Sequence, residues 1–233
     1  MFENGFSRGA ATLYGGLSSD ELIAFYGPDD PYYTISTNHI SLIGGQGSGS
    51  SALTDNIWSS AYGVIYTANA VIEGIAASAS SQLHDNVRTA LTAEARCIRA
   101  FCYFYLTNYY GDVPLVLTTD YNAAITLPRA AQADIYQQII QDLKEAQSSL
   151  PGDYAAGKDR RVRVNKWVAT ALLARVYLFT GDYKNAAQQA TEVINNSSLY
   201  GLETNLKNVF LTTSREAIWQ LNQVTGTGSS DGT

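Results

Sequence analysis

The stretch that most restricts how this chain can fold is residues 93–115, AEARCIRAFCYFYLTNYYGDVPL. Leu91, Ala95, Ile98, Cys102 and Tyr105 recur at three- and four-residue spacing, so they share one face of a helix. Phe101, Phe104 and Tyr109 widen that apolar stripe, which predicts a largely buried helix. Gly111 stands where a helix ends on a residue of positive φ, a conformation glycine adopts without strain. Pro114 then blocks any return to helix. Residues 113–118 are β-branched enough to predict one short strand.

Other segments carry the same helical period. From Trp58, the positions Tyr62, Ile65, Tyr66, Asn69, Ile72 and Ile75 line one face, with Thr54 or Asp55 as the expected N-cap. Asn69 is the polar member of that face and needs hydrogen-bond partners, for which neighbouring backbone is the expected source. A helix over 85–109 follows. Ile135, Ile139, Leu143, Ala146 and Leu150 predict another over 134–150, stopped by Pro151-Gly152. Helices are expected over 165–180, capped by Gly181, and over 183–196. Within them Leu173, Ala174, Tyr177, Gly181, Tyr183, Ala186 and Ala190 match the spacing of a tetratricopeptide repeat, so 165–196 is the clearest repeat. Small alanines let two antiparallel helices approach closely, and tyrosine fills the groove between them. The fold class that emerges is all-α, built of antiparallel helix pairs with a few short strands.

The remaining segments read differently. Residues 9–17 look like the tail of a helix closed by Gly15-Gly16, and 19–22 like a turn or strand entry. Residues 27–54 read as one long irregular loop, of the kind that is often functional. Residues 216–224 alternate like a terminal strand, which needs a pairing partner and leads to the expectation that the natural chain continues past residue 233.

Composition removes several function classes. The net charge is −6 and the pI about 4.8, a poor basis for nucleic-acid binding, which depends on neutralising phosphates. The only basic cluster, 158–166, reads as a solvated loop entering a helix. Cys97 and Cys102 lie on one helix with side chains about 140° apart, so they read as small core residues rather than a disulfide or metal pair. His39 and His84 are isolated, which leaves no metal or cofactor site in the pattern. No apolar run reaches the ~18 residues of a membrane span. The start, Met1-Phe2-Glu3, has no basic n-region or apolar h-region of a secretory leader. No Ser/His/Asp set, close carboxylate pair or phosphate loop stands out, so the chain reads as a non-enzyme.

Five motifs, in order, resemble the SusD/RagB family of outer-membrane nutrient-binding lipoproteins. They are Trp58-x-x-x-Tyr62-x-x-Ile65-x-x-Ala68-Asn69-x-x-Ile72, and Glu94-Ala95-Arg96-x-x-Arg99-Ala100-Phe101-x-Tyr103-Phe104 with Tyr110-Gly111-Asp112-Val113-Pro114-Leu115. Then come Pro128-Arg129-Ala130 with Asp134-Ile135-Tyr136 and Asp142-Leu143-x-x-Ala146, the repeat from Ala171 to Tyr183, and Glu216-x-Ile218-Trp219. The resemblance implies non-catalytic capture of a glycan or peptide at the cell surface, with a SusC-type TonB-dependent outer-membrane transporter as partner. It also implies that residues 1–233 form a single SusD-like helical domain, the N-terminal half of a longer lipoprotein whose lipid anchor is absent from this chain. A helical-repeat scaffold for a protein partner is the alternative.

In the family, the segment before the Trp58 helix contributes to the binding face. By that resemblance Asp20, Tyr32, Tyr33, Asn38 and His39 are the candidate ligand-binding residues. Aromatic faces hold sugars while a few polar groups orient them. Tyr32 and Tyr33 serve equally well as exposed contacts or as pins holding the loop to the helices. Glu94, Arg96, Arg99 and Asp112 are charged, but the expectation is a buried ion-pair and hydrogen-bond network that fixes helix packing.

Overall fold

The structure is a computed structural model. It describes residues 11–25, 27–28, 30–38 and 49–221, apart from the side chains of 11, 31 and 49–54. The described residues group into two compact units, one running up to Val64 and the other from Ile65.

The first unit holds α1 (Ala11–Ser18), α2 (Pro31–Ser36) and the start of α3 (Gly49–Ala77). Gly15 and Gly16 lie inside α1 rather than closing it. A Cβ at Gly16 would come within 2.8 Å of the Leu22 side chain, so the glycine permits the chain to fold back over the helix. Asp20, at φ 63°, makes the left-handed turn after α1.

The stretch 27–54 is not one irregular loop. The Asp30 carboxylate accepts the Tyr32 N–H at 2.7 Å, Pro31 supplies a helical φ at the first position, and a short helix forms. α3 begins at Gly49, ahead of the expected cap at Thr54 or Asp55, because Ser, Ala and Leu after Gly49 cost little in a first helical turn.

In the second unit, α4 (Asp85–Tyr110), α6 (Gln132–Ser149), α7 (Lys166–Phe179) and α8 (Tyr183–Asn195) pack successively on one another. Ile135, Ile139, Leu143, Leu106, Leu173 and Val176 are buried between them, as the helical period requires. Asn165 caps α7 by accepting the Trp167 and Val168 N–H groups, and Asp182 caps α8 through Asn185 N–H. Gly181, at φ 77°, makes the turn between those helices. Arg88 closes the α3–α4 connection, donating to the carbonyls of Ile75, Ser80 and Leu83.

Gly111 ends α4 with φ 70° and ψ −125°, and its N–H bonds the Thr107 carbonyl at 3.0 Å. The expected strand over 113–118 shrinks to β1 (Val113–Pro114), paired antiparallel with β2 (Arg129–Ala130). α5 (Tyr121–Ala124) lies between them. Beyond Pro114, side chains replace a partner strand. The Tyr103 hydroxyl donates to the Val116 carbonyl and accepts the Val116 N–H, at 2.9 and 2.7 Å. Asn69 donates to the carbonyls of Val116 and Thr118, and Glu73 accepts the N–H and hydroxyl of Thr119. Those Thr119 bonds, with one from Thr118, hold the Glu73 carboxyl below its usual range.

The terminal strand does not form over 216–221, and residues 222–224 lie outside the described residues. The reason is again side-chain capture of backbone. Tyr154 donates to the Ile218 carbonyl, and Arg161 donates to those of Ala217 and Leu199. Among the described residues, the Gln220 N–H is the one there that reaches a neighbouring backbone carbonyl, that of Arg161. The 158–166 segment is therefore not simply a solvated loop. Arg161 lies over the rings of Tyr154 and Tyr200, at 4.8 and 5.2 Å, and Arg163 pairs with Glu94. That pairing raises the Arg163 guanidinium further above its usual value.

Candidate ligand-binding face

The first unit places four of the five candidate residues on or beside a two-helix hairpin. Leu17 of α1 and Ile35 of α2 are buried, and α1 packs on α2. Tyr14 precedes Leu17 by three residues, and Tyr32 precedes Ile35 by three, so each tyrosine sits one turn along from its buried neighbour. Their ring centroids are 6.2 Å apart, tilted by 41°. Tyr32 is 37 % exposed and Tyr14 only 8 %. Burial, with the Tyr32 hydroxyl second, raises the Tyr14 phenol above its ordinary value.

Tyr33 is half-buried, and its carbonyl accepts bonds from Ser36 and Thr37 at the end of α2. Asp20 and Asn38 are exposed, and both hold positive φ, at 63° and 54°, just after α1 and α2. Asp and Asn tolerate that conformation better than other side chains, which is a local reason for those residue types at those positions. His39 lies outside the described residues. The structure thus brings together Tyr32 and Tyr14, and Tyr14 was missed by reading residues 9–17 as a mere helix tail. Its three-residue spacing to Leu17 was the available signal.

The charged residues of α4 and the turn after it are bonded to neighbouring helices and loops, but the expected buried network holds for Arg99 alone: Glu94 and Arg96 are half-buried and Asp112 is exposed. Arg99 forks onto Asp142 through Nε and Nη2 at 2.9 and 2.7 Å, and its Nη1 donates to Asn69 Oδ1 at 2.8 Å. All three side chains are buried. Arg96 pairs with Glu145, Glu94 with Arg163, and Asp112 accepts the Gln132 N–H. Cys97 and Cys102 are buried free thiols, and burial pushes Cys102 up to about 12 and Cys97 higher than its usual value. Among the described residues no group of three His, Cys, Asp or Glu is placed to hold a metal ion. No described helix is long and apolar enough to cross a membrane.

Open depressions lie in the second unit, two of them between helices. One of about 340 Å³ between α4 and α6 is lined by Arg96, Thr92, Glu145 and Ser149. The other, about 410 Å³ and mostly apolar, lies between α7 and α8 beside Leu178, Tyr183, Ala187 and Ala190.

Residues 33–178 match the family model SusD-like, described as starch-binding associating with outer membrane. The chain belongs to the SusD-like family. The SusD-like protein P2 of Formosa agariphila is 33% identical over 159 residues, covering 66% of this chain and 30% of the relative. A SusD-like protein of Bacteroides ovatus is 32% identical over 176 residues, 68% of this chain and 31% of the relative.

Solved SusD-like structures share the fold. One from Parabacteroides distasonis superposes with a TM-score of 0.75 at 24% identity, over 91% of this chain and 44% of that one. A laminarin-binding SusD-like protein matches at TM-score 0.71 and 25% identity, over 88% and 43%. A structure determined with a xylogluco-oligosaccharide matches at 0.73 and 26%, over 94% and 43%. The chain therefore spans about a third of the length of the curated relatives it matches. The all-α arrangement of antiparallel pairs read from the sequence is the SusD-like fold.

Proposed function

We propose that this SusD-like chain belongs to a cell-surface protein of the outer membrane that captures an oligosaccharide without altering it. It hands the glycan to a SusC-type TonB-dependent transporter, and a lipid anchor attaches the protein to the membrane. Family membership supports the glycan, together with two relatives at 25 and 26% identity whose structures are laminarin-binding or were solved with a xylogluco-oligosaccharide. The observation that carries the site is the exposed Tyr32 ring, seated on a capped helix and backed by Tyr14. Tyr33, Asp20, Asn38 and His39 complete the proposed face.

A ring that stacks on a sugar contributes about 1 kcal/mol beyond its buried area, which is roughly a fivefold change in affinity. Calorimetric titration with laminari- and xylogluco-oligosaccharides tests the reading. Tyr32→Ala weakens binding several-fold at an unchanged melting temperature, and Tyr33→Ala has a smaller effect because that ring is half-buried. Unchanged affinity in both variants moves the site elsewhere, and detection of oligosaccharide cleavage overturns the non-catalytic reading.

The apolar α7–α8 groove favours a second reading, in which the repeat is a scaffold for a protein partner. On that reading the Tyr32 and Tyr33 substitutions leave function intact.

A further inference from the structure

We propose that Tyr14 is a positioning residue of the glycan face: its buried ring sets the plane in which Tyr32 meets a sugar. The inference rests on the reading of Tyr32 as a contact residue. Tyr32 is held at three points. Its backbone is fixed by the Asp30 cap and by Pro31 at the first helical position. Its helix is pinned to α1 through buried Ile35 and Leu17. Its ring leans on Tyr14, 6.2 Å away and tilted by 41°.

The first two constraints fix where the Cβ of Tyr32 lies, but they leave χ1 and χ2 free. A ring on a helix surface has more than one staggered χ1 available, so an exposed tyrosine with no neighbour samples several orientations. The Tyr14 contact selects among them. Tyr14 is itself buried, on α1 one turn before Leu17. The centroid separation is within the range of interacting aromatic pairs, and Tyr32 stays 37% exposed. Preorganising a contact side chain raises affinity by removing the ordering cost at binding.

The test is a double-substitution cycle on the whole chain, titrated calorimetrically with laminari- and xylogluco-oligosaccharides, with melting temperature recorded throughout. Tyr14→Phe keeps the ring and retains wild-type affinity. Tyr14→Leu fills the space without a planar ring and weakens binding several-fold, by an amount comparable to Tyr32→Ala. In a Tyr32→Ala background, Tyr14→Leu has no further effect on affinity. That non-additivity is what a merely structural Tyr14 does not produce, since lost stability acts equally in both backgrounds.

Three results overturn the proposal in distinguishable ways. If Tyr32→Ala weakens binding and Tyr14→Leu does not, the site stands and the positioning role falls. If the two effects add, Tyr14 acts by some route other than Tyr32. If Tyr32→Ala has no effect, or the wild-type chain binds neither sugar, the site reading fails and takes the positioning role with it. Should Tyr14→Leu unfold, Tyr14→Met and Tyr14→His provide the same comparison, with ring planarity as the only property expected to restore affinity.

Discussion

Replacing Asp142 with alanine probes the most deeply buried charge among the described residues. Its carboxylate accepts Arg99 Nε and Nη2, and Gln138 Nε2 at 3.0 Å, so one substitution strands three donors. The Arg99 and Asp142 side chains are 7% and 2% exposed, so water cannot take over those bonds. Breaking a buried pair by removing one partner costs about 3–5 kcal/mol. In a chain of this length each kcal/mol is worth roughly 2–4 °C, so Asp142→Ala lowers the melting temperature by about 6–20 °C.

The double substitution Arg99→Met/Asp142→Leu removes both charges and fills the space. Replacement of a whole buried pair is often neutral. Here it still leaves Asn69 Oδ1 without its donor, at a cost of about 1–3 kcal/mol. The expected order of stability is therefore wild type, then the double variant, then the single one. Urea and thermal unfolding followed by far-UV circular dichroism measure it. If Asp142→Ala loses less than about 1 kcal/mol, or the double variant is the least stable, the desolvation argument is wrong.

Three further outcomes are expected. Tyr103→Phe leaves the Val116 N–H unpaired and its carbonyl with the Asn69 bond alone, costs about 1–3 kcal/mol, and exposes the Val116 amide to rapid hydrogen exchange. Gly111→Val costs about 2 kcal/mol by thermal melting, and Gly111→Asn does not rescue it, because asparagine tolerates left-handed helix but not ψ −125°. Cys97 and Cys102 stay unreactive to a thiol reagent until the chain unfolds. Their thiols are raised in the folded state, so the stability they contribute is complete below the ordinary thiol range near pH 9 and is lost as pH climbs toward about 12, a loss that stability measured at pH 8 through 11 in Cys102→Ala and wild type will separate.

Helices were readable in the sequence wherever burial imposed a period. Ile135, Ile139 and Leu143 had to face inward, and α7 and α8 begin within a residue of the starts expected at 165 and 183. Gly111 was legible because few other residues can make that turn. The strands were not. Residues 113–118 and 216–221 have strand-like composition, but their backbone groups are claimed by Tyr103, Asn69, Glu73, Tyr154 and Arg161. Which side chain will outcompete a neighbouring strand depends on tertiary position, which local pattern does not encode. α2 was missed because six residues give too little periodicity, although Asp30-Pro31 marked its start. In the candidate face, Tyr32 stood out as an aromatic after proline, whereas its backing by Tyr14 depends on how α1 packs on α2.

Side-chain anchoring of residues 116–119 has an evolutionary consequence. Tyr103 and Asn69 grip only main-chain atoms of Val116 and Thr118, and Glu73 reaches the Thr119 N–H as well as its hydroxyl. Any residue other than proline offers the same groups at position 116. Mutation can therefore rewrite the outward-facing Leu117 and the exposed Tyr121 and Ile125 beyond it without disturbing the attachment. Selection for fold should fall on the three anchoring residues in α3 and α4, and the loop they hold is left open to diversify between relatives or to accept a grafted sequence.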